Sequence, residues 1–254
     1  PLIELAGKTF GLLGCGRIGI HTAEAAKGLG MHVIAYNRSQ SQAAKDLGVE
    51  FVDLDGLFAR SDVLALQMPL ADFNVGIINK ANIAKMKDGV IILNFARDAL
   101  VNDDDIEAAL KSGKVRRYVT DFPNAKLVGK KNVVCFPHLG ATTPEAEEKC
   151  AIMAAREIVD YLRNGNIRNS VNLPNATLDR LGKSRLCLIH RNRPGMLNRF
   201  LEIIAAGNVN VEHMLNKARG EIAYTIFDTT EHLDEAAAEE MRAIPGVTRV
   251  RLLG

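Results

Sequence analysis

The sequence predicts an α/β protein in which a doubly wound parallel sheet is followed by a smaller βαββαβ unit. Short apolar runs of strand length alternate with helical patterns through the first ~140 residues. The first run leads straight into a glycine-rich turn, Gly14-Cys15-Gly16-Arg17-Ile18-Gly19, which opens a helix. The last ~70 residues switch to alternating strands interrupted by two amphipathic stretches. At ~100–200 residues per domain, 254 residues suit two domains, each able to bury a core.

Strands are expected over 9–13, 32–36, 63–66, 90–94, 117–120 and 132–136. They are continuous apolar runs flanked by Gly, Pro, Asp or Asn, as strands covered on both faces are. The helix after the glycine turn presents Ile18, Ile20, Ala23, Ala26 and Leu29 to the sheet. Asn102 caps a later helix whose first turn carries Asp103, Asp104 and Asp105 at the positive end of its dipole, and Gly113 stops it. After Pro137-His138-Leu139-Gly140, Thr142-Thr143-Pro144-Glu145 supplies a capping box or an N1 proline for a long helix running to Asn164 and closed by Gly165. Ala146, Cys150, Met153, Ala154, Ile158, Tyr161 and Leu162 form its apolar stripe. Periodicity then fades over 167–183, which reads as a linker. Beyond it come a strand over 185–190, a helix opened by Pro194, a strand over 209–216, a turn at Ala218-Arg219-Gly220, a strand over 221–228, a helix over 233–243 and a strand over 248–252. The order is that of a ferredoxin-like sandwich.

Composition narrows the function. The net charge of +2, from 32 Lys and Arg against 30 Asp and Glu, sets aside nucleic-acid binding by bulk charge. No apolar run approaches the ~20 residues that cross a bilayer, and the opening residues lack the pattern of a signal peptide, so a cytoplasmic protein away from membranes is expected. Cys15, Cys135, Cys150 and Cys187 stand singly on apolar segments, which indicates reduced thiols and no metal site.

The glycine turn is the strongest chemical signal, because it follows a strand and opens a helix. Gly14 permits the tight turn, Gly16 lets a pyrophosphate approach the backbone, and Gly19 lets helix and strand pack closely. The second strand ends not in the acid that takes ribose hydroxyls but in Tyr36-Asn37-Arg38-Ser39, a set that leans towards the 2′-phosphate of NADP. Arg97, Asp121 and His138 each follow a strand, where ligands of open α/β sheets bind. A guanidinium to hold a carboxylate and polarise a carbonyl, an imidazole to exchange a proton and an acid to orient it suit hydride transfer involving a 2-hydroxy acid. In the second unit, His190-Arg191-Asn192-Arg193-Pro194-Gly195 lies between strand and helix, as a capped turn or a small-ligand clasp.

These motifs, with Asn94-Phe95-Ala96-Arg97 and Pro137-His138-Leu139-Gly140-Ala141-Thr142-Thr143, resemble the phosphoglycerate dehydrogenase branch of the D-isomer-specific 2-hydroxyacid dehydrogenase family. The tail, with Val209-Asn210-Val211, is similar to an ACT regulatory domain. The resemblance implies a Rossmann-type dinucleotide-binding domain over 1–142, a helix of the substrate or lid domain over 143–166, a linker over 167–183 and the ACT domain over 184–254. It implies NAD as cofactor, bound by Gly14, Gly16, Arg17, Ile18, Gly19, Asn37, Arg38, Ser39, Pro69, Ala96, Arg97, Asp121, His138 and Gly140. Arg97 would bind and polarise substrate and His138 would be the general acid/base. His190, Asn192 and Asn210 would contact serine as feedback inhibitor in a homo-oligomer. The implied reaction is oxidation of 3-phospho-D-glycerate at the entry to serine biosynthesis.

Departures from the family pattern keep two alternatives open. The loop Asp121-Phe122-Pro123-Asn124 lacks the Glu that pairs with the catalytic His, leaving Asp121 as the candidate replacement, and Asn37-Arg38 stands where an acid serves NAD. The family's leading ~100 residues of substrate domain do not precede the first strand, so the chain is read as the C-terminal part of a three-domain enzyme that binds dinucleotide and turns over phosphoglycerate poorly alone. The alternatives are an NADPH-dependent hydroxypyruvate or glyoxylate reductase, and a non-catalytic sensor of nucleotide and amino acid.

Overall fold

The computed structural model describes residues 3–254. Pro1 and Leu2, where the expected dinucleotide-binding domain begins, lie outside the described residues. The chain divides into two compact units, Pro1–Gly140 and Ala141–Gly254.

The first unit is a 7-stranded sheet built from β1 (Thr9–Leu13), β2 (His32–Tyr36), β3 (Glu50–Phe51), β4 (Val63–Leu66), β5 (Val90–Asn94), β6 (Val115–Thr120) and β7 (Val133–Cys135). Its order is β3-β2-β1-β4-β5-β6-β7 and every pair is parallel. The order reverses between β1 and β4, which sets a switch point beside the glycine turn. The helices α1 (Arg17–Gly28), α2 (Gln42–Asp46), α3 (Leu54–Arg60), α4 (Lys80–Lys85) and α5 (Asp103–Ser112) make the connections. Separate apolar clusters lie on the two faces, one around Leu13, Phe58, Leu66 and Ile92 and the other around Leu12, Ala23, Val33 and Ala65. Alternate residues of β1 feed opposite clusters, which is why its sequence is a continuous apolar run. The expected caps of α5 are present: the Asn102 side chain accepts from the amides of Asp104 and Asp105, and Gly113 takes a left-handed conformation.

The second unit opens with α6 (Pro144–Asn164), capped by Thr143, which accepts from the Ala146 amide, and ended by left-handed Gly165. Its expected apolar stripe is covered only at its end, where Tyr161 packs against the core of the second unit: no residue of α6 is buried, and Ile152, Met153, Ile158 and Leu162 are exposed. Beyond it, β8 (Ser184–Arg191), α7 (Met196–Ala206), β9 (Val211–Arg219), β10 (Ile222–Thr229), α8 (Glu235–Arg242) and β11 (Val247–Leu253) appear in the βαββαβ order. They make a 4-stranded antiparallel sheet in the order β11-β8-β10-β9. Leu186, Leu188 and Phe227 face Phe200 of α7 and Met241 of α8, while Cys187, Tyr224 and Ile226 face the other way.

That second face is covered by the segment expected to be a linker. Ile167 and Ala176 bridge each other antiparallel and are buried with Cys187 and Tyr224, and Leu173 and Leu178 pack against them. The sequence lacks helical or strand periodicity here because the segment folds as an irregular cover rather than as a regular element.

The sheet also grips the end of α6. Arg251 donates to the carbonyls of Tyr161 (3.0 Å) and Leu162 (2.9 Å), Arg180 to that of Arg163 (3.4 Å), Arg185 to that of Asn164 (2.8 Å) and the Tyr224 hydroxyl to that of Gly165 (2.6 Å). The last carbonyls of a helix are short of intrahelical donors, and here three arginines and a tyrosine hydroxyl supply them at the negative end of the dipole. Arg185 is fully buried and also forms a bidentate pair with Asp228.

Candidate dinucleotide and substrate site

Each parallel strand of the first unit delivers its following loop to one edge of the sheet. At the end of β1, Gly14 has φ +103°, and a Cβ there would stand 2.6 Å from the Gln67 carbonyl oxygen after β4. A Cβ on Gly19 would stand 2.8 Å from the Gly14 carbonyl oxygen. The fold itself therefore demands glycine at both positions. Gly16 differs, since a Cβ there would meet nothing within 4 Å. No side chain caps α1 and no acid lies in its first turn, so its amide groups are open to an anion.

Beside this turn lies a cleft of about 720 Å³ whose walls include Gly14, Tyr36, Asn37, Arg38, Ser39 and Pro69, with Phe73 opposite. The Gly14 amide donates to the Tyr36 carbonyl (2.9 Å), which fixes β2's exit against the turn. An empty volume where a Gly16 side chain would stand, an uncapped helix start and an adjoining cleft fit a dinucleotide, with phosphates at the turn and the adenosine half in the cleft.

Arg97, Asp121 and His138 occupy the other half of the same edge, after β5, β6 and β7. Asn94, fully buried, donates to the Arg97 carbonyl (2.9 Å) and accepts from the Ala96 amide (3.2 Å), so it shapes the loop that presents the guanidinium. Tyr118 holds Asn94 in turn (3.0 Å), and burial pushes its hydroxyl pKa up. Thr120 Oγ1 accepts from the Phe122 amide (3.0 Å) and bends the chain after β6. The Phe122 ring then joins the two candidate catalytic groups: its centroid is 5.6 Å from the Arg97 guanidinium carbon and 4.6 Å from the His138 ring.

The expected acid–imidazole pair does not form. Among the described residues no hydrogen bond or ion pair links Asp121 to His138. Asp121 is instead buried, and its Oδ1 has no hydrogen-bond partner. A buried acceptor without a donor is costly, and a ligand N–H reaching it would satisfy it. Phe122 takes the place beside the imidazole. The sequence held a sign of this, an aromatic next to the strand-end acid, as it did for Asn94 at the head of Asn94-Phe95-Ala96-Arg97. Nothing in the sequence singled out Phe73.

The structure does not gather the three expected effector residues within one chain. His190 is 2% exposed, with Nδ1 against the Arg191 carbonyl (2.9 Å), Nε2 against Thr225 Oγ1 (2.8 Å) and its ring edge-on to Phe200, and burial lowers its pKa. Asn192 sits by the start of β10, its amide donating to the Glu221 carbonyl, whereas the Asn210 carbonyl accepts from Thr230 at the far end. Among the described residues no group of His, Cys, Asp or Glu is placed to hold a metal ion. Nor is any helix there long and apolar enough to cross a membrane.

A glycine turn at the switch point of a doubly wound sheet, with a guanidinium and an imidazole further along the same edge, defines a dinucleotide-binding oxidoreductase domain. Residues 1–140 match the family model described as "D-isomer specific 2-hydroxyacid dehydrogenase, NAD binding domain". The hydroxypyruvate reductase of Blautia hydrogenotrophica is 40% identical over 179 residues, covering 68% of this chain and 55% of that protein. The D-3-phosphoglycerate dehydrogenase of Haemophilus influenzae is 31% identical, covering 98% of this chain and 64% of that protein. Among solved structures, a glyoxylate reductase from Paecilomyes thermophila superimposes with a TM-score of 0.62 at 32% identity, covering 66% of this chain and 53% of that one. The chain belongs to the D-isomer-specific 2-hydroxyacid dehydrogenase family, with an NAD(P)-binding domain of that family at its N-terminal side. It spans less than two thirds of the length of these relatives.

Proposed function

We propose that the chain is the dinucleotide-binding and ligand-sensing portion of a phosphoglycerate dehydrogenase, which oxidises 3-phospho-D-glycerate in serine biosynthesis. The observation that carries the reading is the packing of both Arg97 and His138 against Phe122, on the sheet edge that holds the glycine turn. A bound nicotinamide dinucleotide supplies the hydride acceptor. Gly14, Gly16, Arg17, Ile18 and Gly19 hold its phosphates, Asn37, Arg38, Ser39 and Pro69 its adenosine half, and Ala96, Asp121 and Gly140 flank its reactive end. Arg97 binds the substrate carboxylate through its forked donors and polarises the neighbouring oxygen. His138 takes the hydroxyl proton during oxidation and returns it in reduction. The 143–166 helix belongs to the substrate or lid domain.

The second unit favours phosphoglycerate over other 2-hydroxy acids. Its βαββαβ sheet supports the ferredoxin-like ACT assignment over 184–254, behind the 167–183 segment. Asn192 and Asn210 flank opposite ends of β10, roughly 23 Å apart at ~3.3 Å per residue from Ile222 to Thr229. A serine site using both is therefore completed by a second copy of the chain, with the buried His190 shaping the loop that carries Asn192. Calorimetric titration with serine tests this. Binding is expected to fail in Asn192→Ala and in Asn210→Ala, and mixing the two variants is expected to restore it at one of the two sites of each mixed dimer. Absence of serine binding to the unsubstituted chain removes the ground for phosphoglycerate and favours hydroxypyruvate reduction, the reading that the 40% identical relative supports. In the full-length enzyme, His138→Ala is expected to abolish turnover while sparing NADH affinity.

A further inference from the structure

We propose, on the dehydrogenase reading of Arg97 and His138, that Phe122 is a positioning residue for the reaction. Its ring is a fixed platform that holds the imidazole and the guanidinium in their working relation, at the place where an acid is expected to orient the imidazole alone. Arg97 acts on the substrate carboxylate and His138 on the hydroxyl of the adjacent carbon, so the spacing of the two groups has to match one small molecule. A misplacement of about 1 Å in such an arrangement costs roughly hundredfold in rate.

Arg97 and His138 are both exposed, and exposed side chains ordinarily exchange rotamers on a fast timescale. Among the described residues His138 makes no hydrogen bond or ion pair. The contact that sets its ring is Phe122, with centroids 4.6 Å apart and planes tilted by 53°, a separation at which aromatic pairs attract. Arg97 Nη1 donates to the carbonyl of its neighbour Ala96 (2.6 Å), and its guanidinium carbon lies 5.6 Å from the centroid of the same Phe122 ring. A π face restrains a guanidinium without using any N–H, so the remaining donors stay available to a carboxylate.

A platform has to be rigid, and the loop that carries Phe122 is tied on both sides of the ring. Upstream, the Phe122 amide donates to Thr120 Oγ1 (3.0 Å), and the Thr120 hydroxyl is bonded to that of Tyr118. The Tyr118 hydroxyl accepts from Asn94 Nδ2 (3.0 Å), which also donates to the Arg97 carbonyl (2.9 Å). Asn94, Tyr118 and Thr120 are all buried, so the backbones of Phe122 and Arg97 hang on one satisfied polar circuit, the kind that rigidifies its surroundings. Downstream, Asn124 accepts from the amides of Lys126 (3.1 Å) and Leu127 (3.0 Å) and donates to both carboxylate oxygens of Asp103 (3.2 Å each). Leu127 is buried in the core, Lys126 pairs with Asp104 and Lys130 with Glu107. The acids at the start of α5 thus anchor this loop as well as meeting the helix dipole.

The test has a spectroscopic and a kinetic arm. In the unmodified chain, nuclear Overhauser cross-peaks are expected between the ring protons of Phe122 and His138, and their absence overturns the proposal. In the full-length enzyme, Phe122→Leu keeps an apolar side chain and removes the flat face. It is expected to raise KM for the hydroxy acid and lower kcat together, so that kcat/KM falls roughly tenfold to hundredfold while NADH affinity is retained. Phe122→Tyr keeps the ring and should stay within about threefold of the unsubstituted enzyme. Structural damage alone would shrink the active fraction and lower kcat at unchanged KM, and that pattern overturns the proposal. So does a kcat/KM within about twofold of the unsubstituted value in Phe122→Leu, or a Phe122→Tyr as poor as Phe122→Leu. No turnover of any 2-hydroxy acid by the unsubstituted full-length enzyme overturns the dehydrogenase reading itself, a failure distinguishable because it precedes any substitution at Phe122.

Discussion

Replacing Arg185 with methionine tests the physical account of the second unit most severely. The side chain is 0% exposed, and each guanidinium N–H has an acceptor. Nε and Nη2 reach the two Asp228 oxygens at 2.6 Å each; Nη1 reaches the carbonyls of Asn164 and Leu178 at 2.8 Å each, and Nη2 that of Asp179 at 3.0 Å. Methionine fills much of the volume and supplies none of these donors. Asp228 then stays buried with the Leu181 amide (3.2 Å) as its remaining donor among the described residues. Breaking a buried pair costs about 3–5 kcal/mol, and the three stranded carbonyls add to it less than additively, so about 4–6 kcal/mol is expected. A domain has only about 5–15 kcal/mol to lose, so much of the second unit should unfold near room temperature. Urea titration followed by circular dichroism measures the loss, and amide exchange in the last turn of α6 should quicken with it. The double variant Arg185→Met, Asp228→Leu should recover part of the stability, because the unpaired charge is gone. A loss under about 1 kcal/mol in the single variant, or a double variant as unstable as the sum of its singles, would refute the reasoning.

Two valine substitutions in the glycine turn should separate structure from ligand binding. Gly14→Val meets the Gln67 carbonyl at a backbone angle L-residues avoid, and should cost about 3 kcal/mol or more in urea unfolding. Gly16→Val sets its Cβ more than 4 Å from other parts of the chain and should keep stability within about 1 kcal/mol while abolishing NADH binding by fluorescence titration; retained binding would argue against phosphates at this turn. Gly165→Ala places a Cβ 2.2 Å from Cys187 Sγ at φ +70°, so the melting temperature of the second unit should fall in a thermal scan, and an unchanged value would contradict the packing of α6's end. For His190, burial lowers the folded pKa, so the unfolded chain takes up the proton first as pH falls. The neutral form's contribution is complete above about pH 6.5 and is lost as pH drops through that value towards the folded pKa, at up to ~1.4 kcal/mol per pH unit. His190→Gln should flatten that part of the pH dependence of the urea midpoint, and an unaltered slope would place the titration elsewhere.

What the sequence revealed and what it concealed follow from the kind of interaction involved. β1, β2, β4 and β5 carry their predicted bounds because each is a run of apolar residues ended by a residue that the sheet edge needs, Gly14 or Asn94 among them. β3, only Glu50–Phe51, carries too few side chains to show a period. Arg97 and His138 were readable as candidates because ligands of open α/β sheets bind beyond the carboxyl ends of the strands, so type and position coincide. Asp121 was readable as a site residue but not in its partner, since the loop after β6 turns on a Thr120–Phe122 hydrogen bond that aims the ring, rather than the acid, at the imidazole. The grip on α6 was hidden for a different reason. Arg180, Arg185, Arg251 and Tyr224 act on backbone carbonyls, which every residue carries, so nothing at positions 161–165 advertises the partners they will meet. An arginine at the second position of a strand reads as a solvated edge residue until the chain that buries it is in place. Here that chain is the aperiodic 167–183 stretch, whose disorder-like composition conceals that its carbonyls at Leu178 and Asp179 complete the guanidinium's shell.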